Sequence, residues 1–238
     1  MLFYIQLAVC FVLGAFILLF VSTAWLERQR IHEFVPAPTE EAAGGSPYFV
    51  AMNEAAERLG FNFAGVFVQA RGSRVYQARL ALWISADGQT LLRIGGGKTA
   101  GMQIRRTTLT SLVEPCRIVE TTDECGMADL TGLTDRQLVL NAHLDELLAR
   151  HQARLAQCPD LKRAFAVSEA LTSFETMQAM KAAQMERLGL GRFLNRERTV
   201  WRHTLKGAIM CCSKGLHSPM AEGRLQSERI TLKRPGDK

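Results

Sequence analysis

The sequence predicts an α+β fold, with an N-terminal transmembrane helix followed by an antiparallel β-meander packed on a C-terminal helical hairpin. Three observations predict it. From Met1 to Leu26 there is no charged residue. From Asn62 onward apolar and polar residues alternate, in runs separated by short turn motifs, as strands joined by tight connections require. After Thr134 the apolar spacing lengthens to three and four residues, the period of helices that bury one face.

The first element is the run LFYIQLAVCFVLGAFILLFVSTAWL. As a helix rising about 1.5 Å per residue it is long enough to cross roughly 30 Å of hydrocarbon. A cleaved signal peptide would begin with positive charge and have a shorter apolar centre; no Lys or Arg precedes this run, and only Ser22-Thr23-Ala24 resembles a cleavage site. An uncleaved anchor is expected. Arg28 and Arg30 follow the run closely, so the C-terminal side should stay in the cytoplasm, with Trp25 in the aromatic belt.

Residues 27–47 mix Pro, Gly, Ala and Glu without apolar periodicity and read as a linker. Residues 48–212 then form the α+β domain, and 213–238 a basic flexible tail. In the domain, YFVAMNEAAERLGF carries a short helix ending at Gly60. Strands follow, with turns at Arg71-Gly72-Ser73 and Ala86-Asp87-Gly88. In the second strand Leu80, Leu82 and Ile84 share one face, expected to be core, and Arg79, Ala81 and Trp83 the other, expected to be mixed. Thr134 is a candidate cap for a helix carrying Leu140, Leu144, Leu147, His151 and Leu155, and Asp160 opens a second helix that ends at Gly189 and Gly191. These two make the expected hairpin. The segment around Trp201 fits helix or strand.

A net charge of +6 and a pI near 9.2 suit nucleic acid or anionic lipid, although charge of this size commonly serves solubility alone. Beside a membrane anchor, lipid headgroups are the nearer partner and nucleic acid the more remote. The candidate lipid or anion contacts are Arg79, Arg93, Arg105, Arg106, Arg202 and Lys206; whether the strand cations converge on one face depends on register. Around Trp201, packing of Val200, Trp201 and Leu205 into the core competes with contact to lipid, and core packing is favoured. None of the six cysteines forms a C-x-x-C pair, so no disulfide is assigned.

The motifs of known chemistries are incomplete. Gly97-Lys98-Thr99 ends like a phosphate-binding loop, yet Leu92 stands where its first glycine belongs and the following residues read as a strand. The glycines are expected to make a wide turn or bulge. Gly189 and Gly191 give only the start of a dinucleotide fingerprint. Asp123, Glu124 and Asp129 are the best acidic cluster and the candidate metal ligands, with turn formation as the plainer account. His151 and His203 are candidate bases, though His151 on an apolar stripe is more readily a half-buried structural residue. His143 and His151, eight residues apart on the same expected helix, are too far apart to share a metal directly. No cofactor is called for.

MERLGLGRFLNRERTVWRHTLKGA, with ARLALWISADGQTLLRIGGG and LLARHQARL upstream, resembles an uncharacterised group of bacterial single-pass membrane-anchored proteins. In that group a strand ending in Leu-Trp precedes a His-containing helix and a Trp-Arg-aromatic-Thr-Leu-Lys-Gly motif; His203 stands here in place of a tyrosine. The resemblance implies the anchor and no activity. The expected role is a membrane-tethered, non-catalytic binding or scaffolding module, with a protein partner or homo-oligomer among its candidate ligands. The alternatives are a divalent-metal-dependent hydrolase using Asp123, Glu124 and Asp129, and a peripheral domain sensing anionic lipid.

Overall fold

A computed structural model describes residues 2–26, 28–31, 34–37, 46–69, 76–99, 102–114, 117–123, 129–140, 142–158, 162–211 and 213. The chain gathers into two compact units, one of residues 31–125 and 132–179, the other of 1–30, 126–131 and 180–238. The expected linker is partly structured, for it supplies strands β1 (Gln29–Arg30) and β2 (Phe34–Pro36). The expected tail falls, beyond Ser213, outside the described residues.

The larger unit is built on an eight-stranded sheet. Its central strands β3 (Asn62–Gln69), β4 (Tyr76–Ile84), β5 (Leu91–Thr99), β6 (Met102–Val113) and β7 (Arg117–Thr122) run antiparallel in chain order, as expected. Two pairings depart from a plain meander. Strand β8 (Thr134–Leu138) joins β7 in parallel, and β9 (Lys162–Arg163) pairs with the end of β6. Thr134 is therefore a strand residue and caps no helix.

Three helices accompany the sheet: α2 (Pro47–Arg58), α3 (Leu144–Ala156) and α4 (Ala170–Arg187). Helix α2 starts where the sequence supplies both a cap and a proline: the Ser46 hydroxyl accepts the Phe49 N–H, and Pro47 takes the first turn. It stops before Gly60, whose φ of 77° suits glycine. Helix α3 begins later than the apolar stripe suggested, so His143 lies before the helix and caps it without a side-chain bond. The second long helix begins at Ala170, with β9 and a short 3₁₀ turn, Val167–Glu169, in the region expected to be helical.

The expected helical hairpin does not form. Residues Ala81, Trp83, Leu92, Ile94 and Leu109 on one face of the sheet pack with Phe49 and Ala56 of α2 and with Leu144 and Leu147 of α3. Leu80, Leu82, Ile84, Leu91 and Ile118 on the other face pack with Phe165 and with Ala170, Phe174 and Met177 of α4. The reason is that both faces are apolar: in β4 every residue from Leu80 to Ile84 is buried, including the face expected to be mixed. A sheet buried on both sides needs a cover on each, so α3 and α4 are drawn to opposite faces.

The triple glycine makes neither turn nor bulge. Gly95, Gly96 and Gly97 lie inside β5, in unbroken register with both neighbours. The irregularity falls instead in β3, where the register shifts between Phe63 and Gly65, and Gly65 takes a φ of 142°.

The smaller unit contains helix α1 (Leu2–Leu26) and a three-stranded antiparallel sheet of β1, β11 (Val200–His203) and β10 (Gly191–Phe193), in that order. The Trp201 segment is thus a strand. A helical segment over 205–211 follows it directly. Gly189, with φ of 68°, separates the end of α4 from β10, the helix stop expected of it.

Candidate functional site

The larger unit holds an open cleft of about 490 Å³. One rim is the β4–β5 turn, which the sequence fixes locally. Ser85 donates through its hydroxyl to Asp87, Asp87 accepts the Gln89 N–H, and Gly88 turns the chain at a φ of 71°. The other walls come from Leu59 and Phe61 after α2, from Leu148, Gln152 and Leu155 of α3, and from Lys162 of β9. The Lys162 ammonium donates to the Cys158 carbonyl at 3.2 Å. The lining mixes apolar side chains, Leu59, Phe61, Leu148 and Leu155 among them, with polar ones, and the volume lies in the range of small-molecule sites.

Behind the cleft, a buried polar network fastens α3 to the sheet. Thr90, on the cleft wall, lies 3.3 Å from the Ser111 hydroxyl, which donates to the Gln89 carbonyl. Ser111 in turn meets His151 Nε2 at 3.0 Å, and Thr121 meets His151 Nδ1 at 3.1 Å. Arg154 donates to the Glu120 and Asp135 carbonyls and to the Thr121 hydroxyl, and pairs with the Asp135 carboxylate at 2.9 Å. His151 has no exposed surface. Burial lowers its pKa to about 4, helped by the neighbouring Arg154 cation and opposed by Glu120. The ring is therefore neutral near pH 7, enclosed and bonded at both nitrogens. Sequence spacing placed it on the apolar stripe, but Ser111 and Thr121 reach it only through the sheet.

A second network ties α2 to the same face. The Tyr48 hydroxyl donates to Asp123 Oδ2 at 2.7 Å and lies 2.5 Å from the Thr107 hydroxyl, and the Thr107 N–H donates to Asp123 Oδ1 at 2.7 Å. Burial raises the Asp123 pKa, against these hydrogen bonds and the nearby Arg106 cation. Burial, then the Asp123 hydrogen bond, also raises the Tyr48 pKa, so the phenol remains a donor. Of the other expected metal ligands, Asp129 belongs to the smaller unit and accepts from the Thr131 N–H and hydroxyl, while Glu124 lies outside the described residues. Among the described residues no group of three His, Cys, Asp or Glu side chains is placed to hold a metal ion.

The strand cations do not converge. The register puts Arg79 and Arg105 opposite Gly96 on the face covered by α2 and α3, with the Arg105 guanidinium 5.6 Å from the Tyr48 ring centre. Arg93 and Arg106 fall on the other face, where Arg93 donates to Thr108 and lies 5.4 Å from the Phe174 ring centre.

In the smaller unit, His203 is buried in β11 with its ring centre 5.0 Å from that of Trp201. Its Nδ1 has no hydrogen-bond partner among the described residues. Burial lowers its pKa, and a hydrogen bond with the Leu190 backbone works the other way. The Arg202 guanidinium lies 5.7 Å from the Trp25 ring centre, linking β11 to the end of α1. Cys211 is a buried thiol, Cys10 an exposed one, and Cys158 one of intermediate exposure.

No protein family, no curated protein and no solved structure matches this chain.

Proposed function

We propose that this is a membrane-tethered, non-catalytic binding module. Its ligand site is the cleft rimmed by the β4–β5 turn, and its anchor is α1. The observation that carries the binding role is the contrast between the cleft and its surroundings. Of the side chains best suited to chemistry, His151 with Ser111 is enclosed and Asp123 with Tyr48 is half-buried, and the members of each pair are bonded to one another, whereas the cleft is open. A ligand with an apolar body would lie against Leu59, Phe61 and Leu155, with a polar head toward Gln152 and Lys162. Metal-dependent hydrolysis has no comparable support, since both Asp123 oxygens already accept bonds from Tyr48 and Thr107.

The anchor rests on sequence and exposure together. Counted over the described residues, no helix is long and apolar enough to cross a membrane. The sequence of helix α1 runs 25 residues without a charge. Large apolar side chains stand exposed along it, Phe11 at 77% and Leu18 at 72%, a surface that water disfavours and hydrocarbon accepts. Arg28 and Arg30 beyond its end support a topology with the rest of the chain in the cytoplasm.

Native mass spectrometry of the full chain, extracted gently from its own cells, tests the binding role. A co-purifying small molecule that is lost in Ala156→Trp, which fills the cleft rim, is the expected result. A bare mass, or a ligand retained equally by that variant, would overturn it.

A further inference from the structure

Between Met180 and Ser213 the smaller unit carries seven Lys and Arg residues against two acids, Glu186 and Glu197. In the same stretch the helical segment over 205–211 is two-sided. Gly207, Ala208 and Cys211 are buried, and Gly207 passes so close to the Leu190 carbonyl that no side chain would fit. Leu205 and Ile209, four residues apart and so on one face, are 53% and 51% exposed, and Lys206 beside them is exposed too. The core packing expected of Leu205 is not what the fold provides.

The position of this face follows from the chain path. Strand β11 pairs with β1, whose first residue lies three beyond the end of α1, and Arg202 of β11 reaches the Trp25 ring. Leu205 is three residues after Arg202, within about 11 Å of it even if the chain were fully extended. Ile209 is one helical turn further, about 6 Å. An apolar pair flanked by cations, held this close to the end of an anchor, has the composition of an interfacial helix.

We propose that the Leu205, Lys206 and Ile209 face rests in the headgroup region of an anionic bilayer beside α1. This rests on the anchor reading and goes beyond it. The apolar pair sinks toward the acyl boundary, and Lys206 and Arg202 meet lipid phosphates.

The test uses the full chain reconstituted in phosphatidylcholine vesicles with and without phosphatidylglycerol, both doped with a phospholipid bearing a photoreactive diazirine on its acyl chain. Adducts are expected in peptides spanning 2–26 and, separately, 205–211. The second set should rise roughly tenfold with phosphatidylglycerol and fall again in high salt. Adducts at 2–26 with none at 205–211 would overturn this inference alone. Adducts at neither would overturn the anchor with it. The double variant Leu205→Glu, Ile209→Glu should lose the second set at an unchanged unfolding midpoint, since both side chains are exposed; labelling equal to the unsubstituted chain would also refute the proposal.

Discussion

At the scale of single residues, His151 shows how burial turns a reactive side chain into a structural one. Its ring accepts or donates to Ser111 and Thr121 and never meets solvent. Because its pKa is lowered from 6.5 to about 4, folding favours the neutral ring. The associated stability is present in full above about pH 6.5 and is lost as pH falls toward 4, on the order of 3 kcal/mol in all. Denaturant titrations across that window should show the decline in the unsubstituted chain. His151→Ala should flatten it and cost about 3 kcal/mol at neutral pH, since it leaves a cavity and two buried hydroxyls short of a partner. The helical period made the burial of His151 legible. The hydroxyls that meet it stand 40 and 30 residues away in sequence, beyond the reach of any local pattern.

Among elements, those with local signals were legible. Ser46-Pro47 started α2, Asp87-Gly88 made the β4–β5 turn, and Gly189 ended a helix, because capping and turn chemistry act over a few residues. Elements decided by pairing were not. Thr134–Leu138 has the look of a helix start and becomes a strand because β7 offers it an open edge. The glycines of β5 look like a turn and stay extended between two full-length neighbours. Gly207 belongs to this second kind: its local effect would be to weaken a helix, yet its use is to let the 205–211 segment touch the Leu190 backbone. Gly207→Ala should therefore destabilise the smaller unit by about 2 kcal/mol or more instead of strengthening the helix. Faster hydrogen exchange in peptides covering 190–211 would report that loss.

For the whole molecule, the sequence by itself determined the uncharged N-terminal helix, the α+β composition and the succession of antiparallel strands. The anchor proposal belongs at this scale and has a direct check: the full chain should stay with membranes through an alkaline carbonate wash. Phe11→Arg with Leu18→Arg should release it, since a central charge costs about 3 kcal/mol in hydrocarbon. Only the tertiary structure decided that α3 and α4 cover opposite faces of the larger sheet, that Arg79 and Arg93 point apart, and that Leu205 and Ile209 are exposed beside the cations of the smaller unit. The physical reason is one of range. Hydrophobic periodicity and turn chemistry report which side of an element is apolar, whereas the surface that covers it is chosen by contacts between residues far apart in the chain.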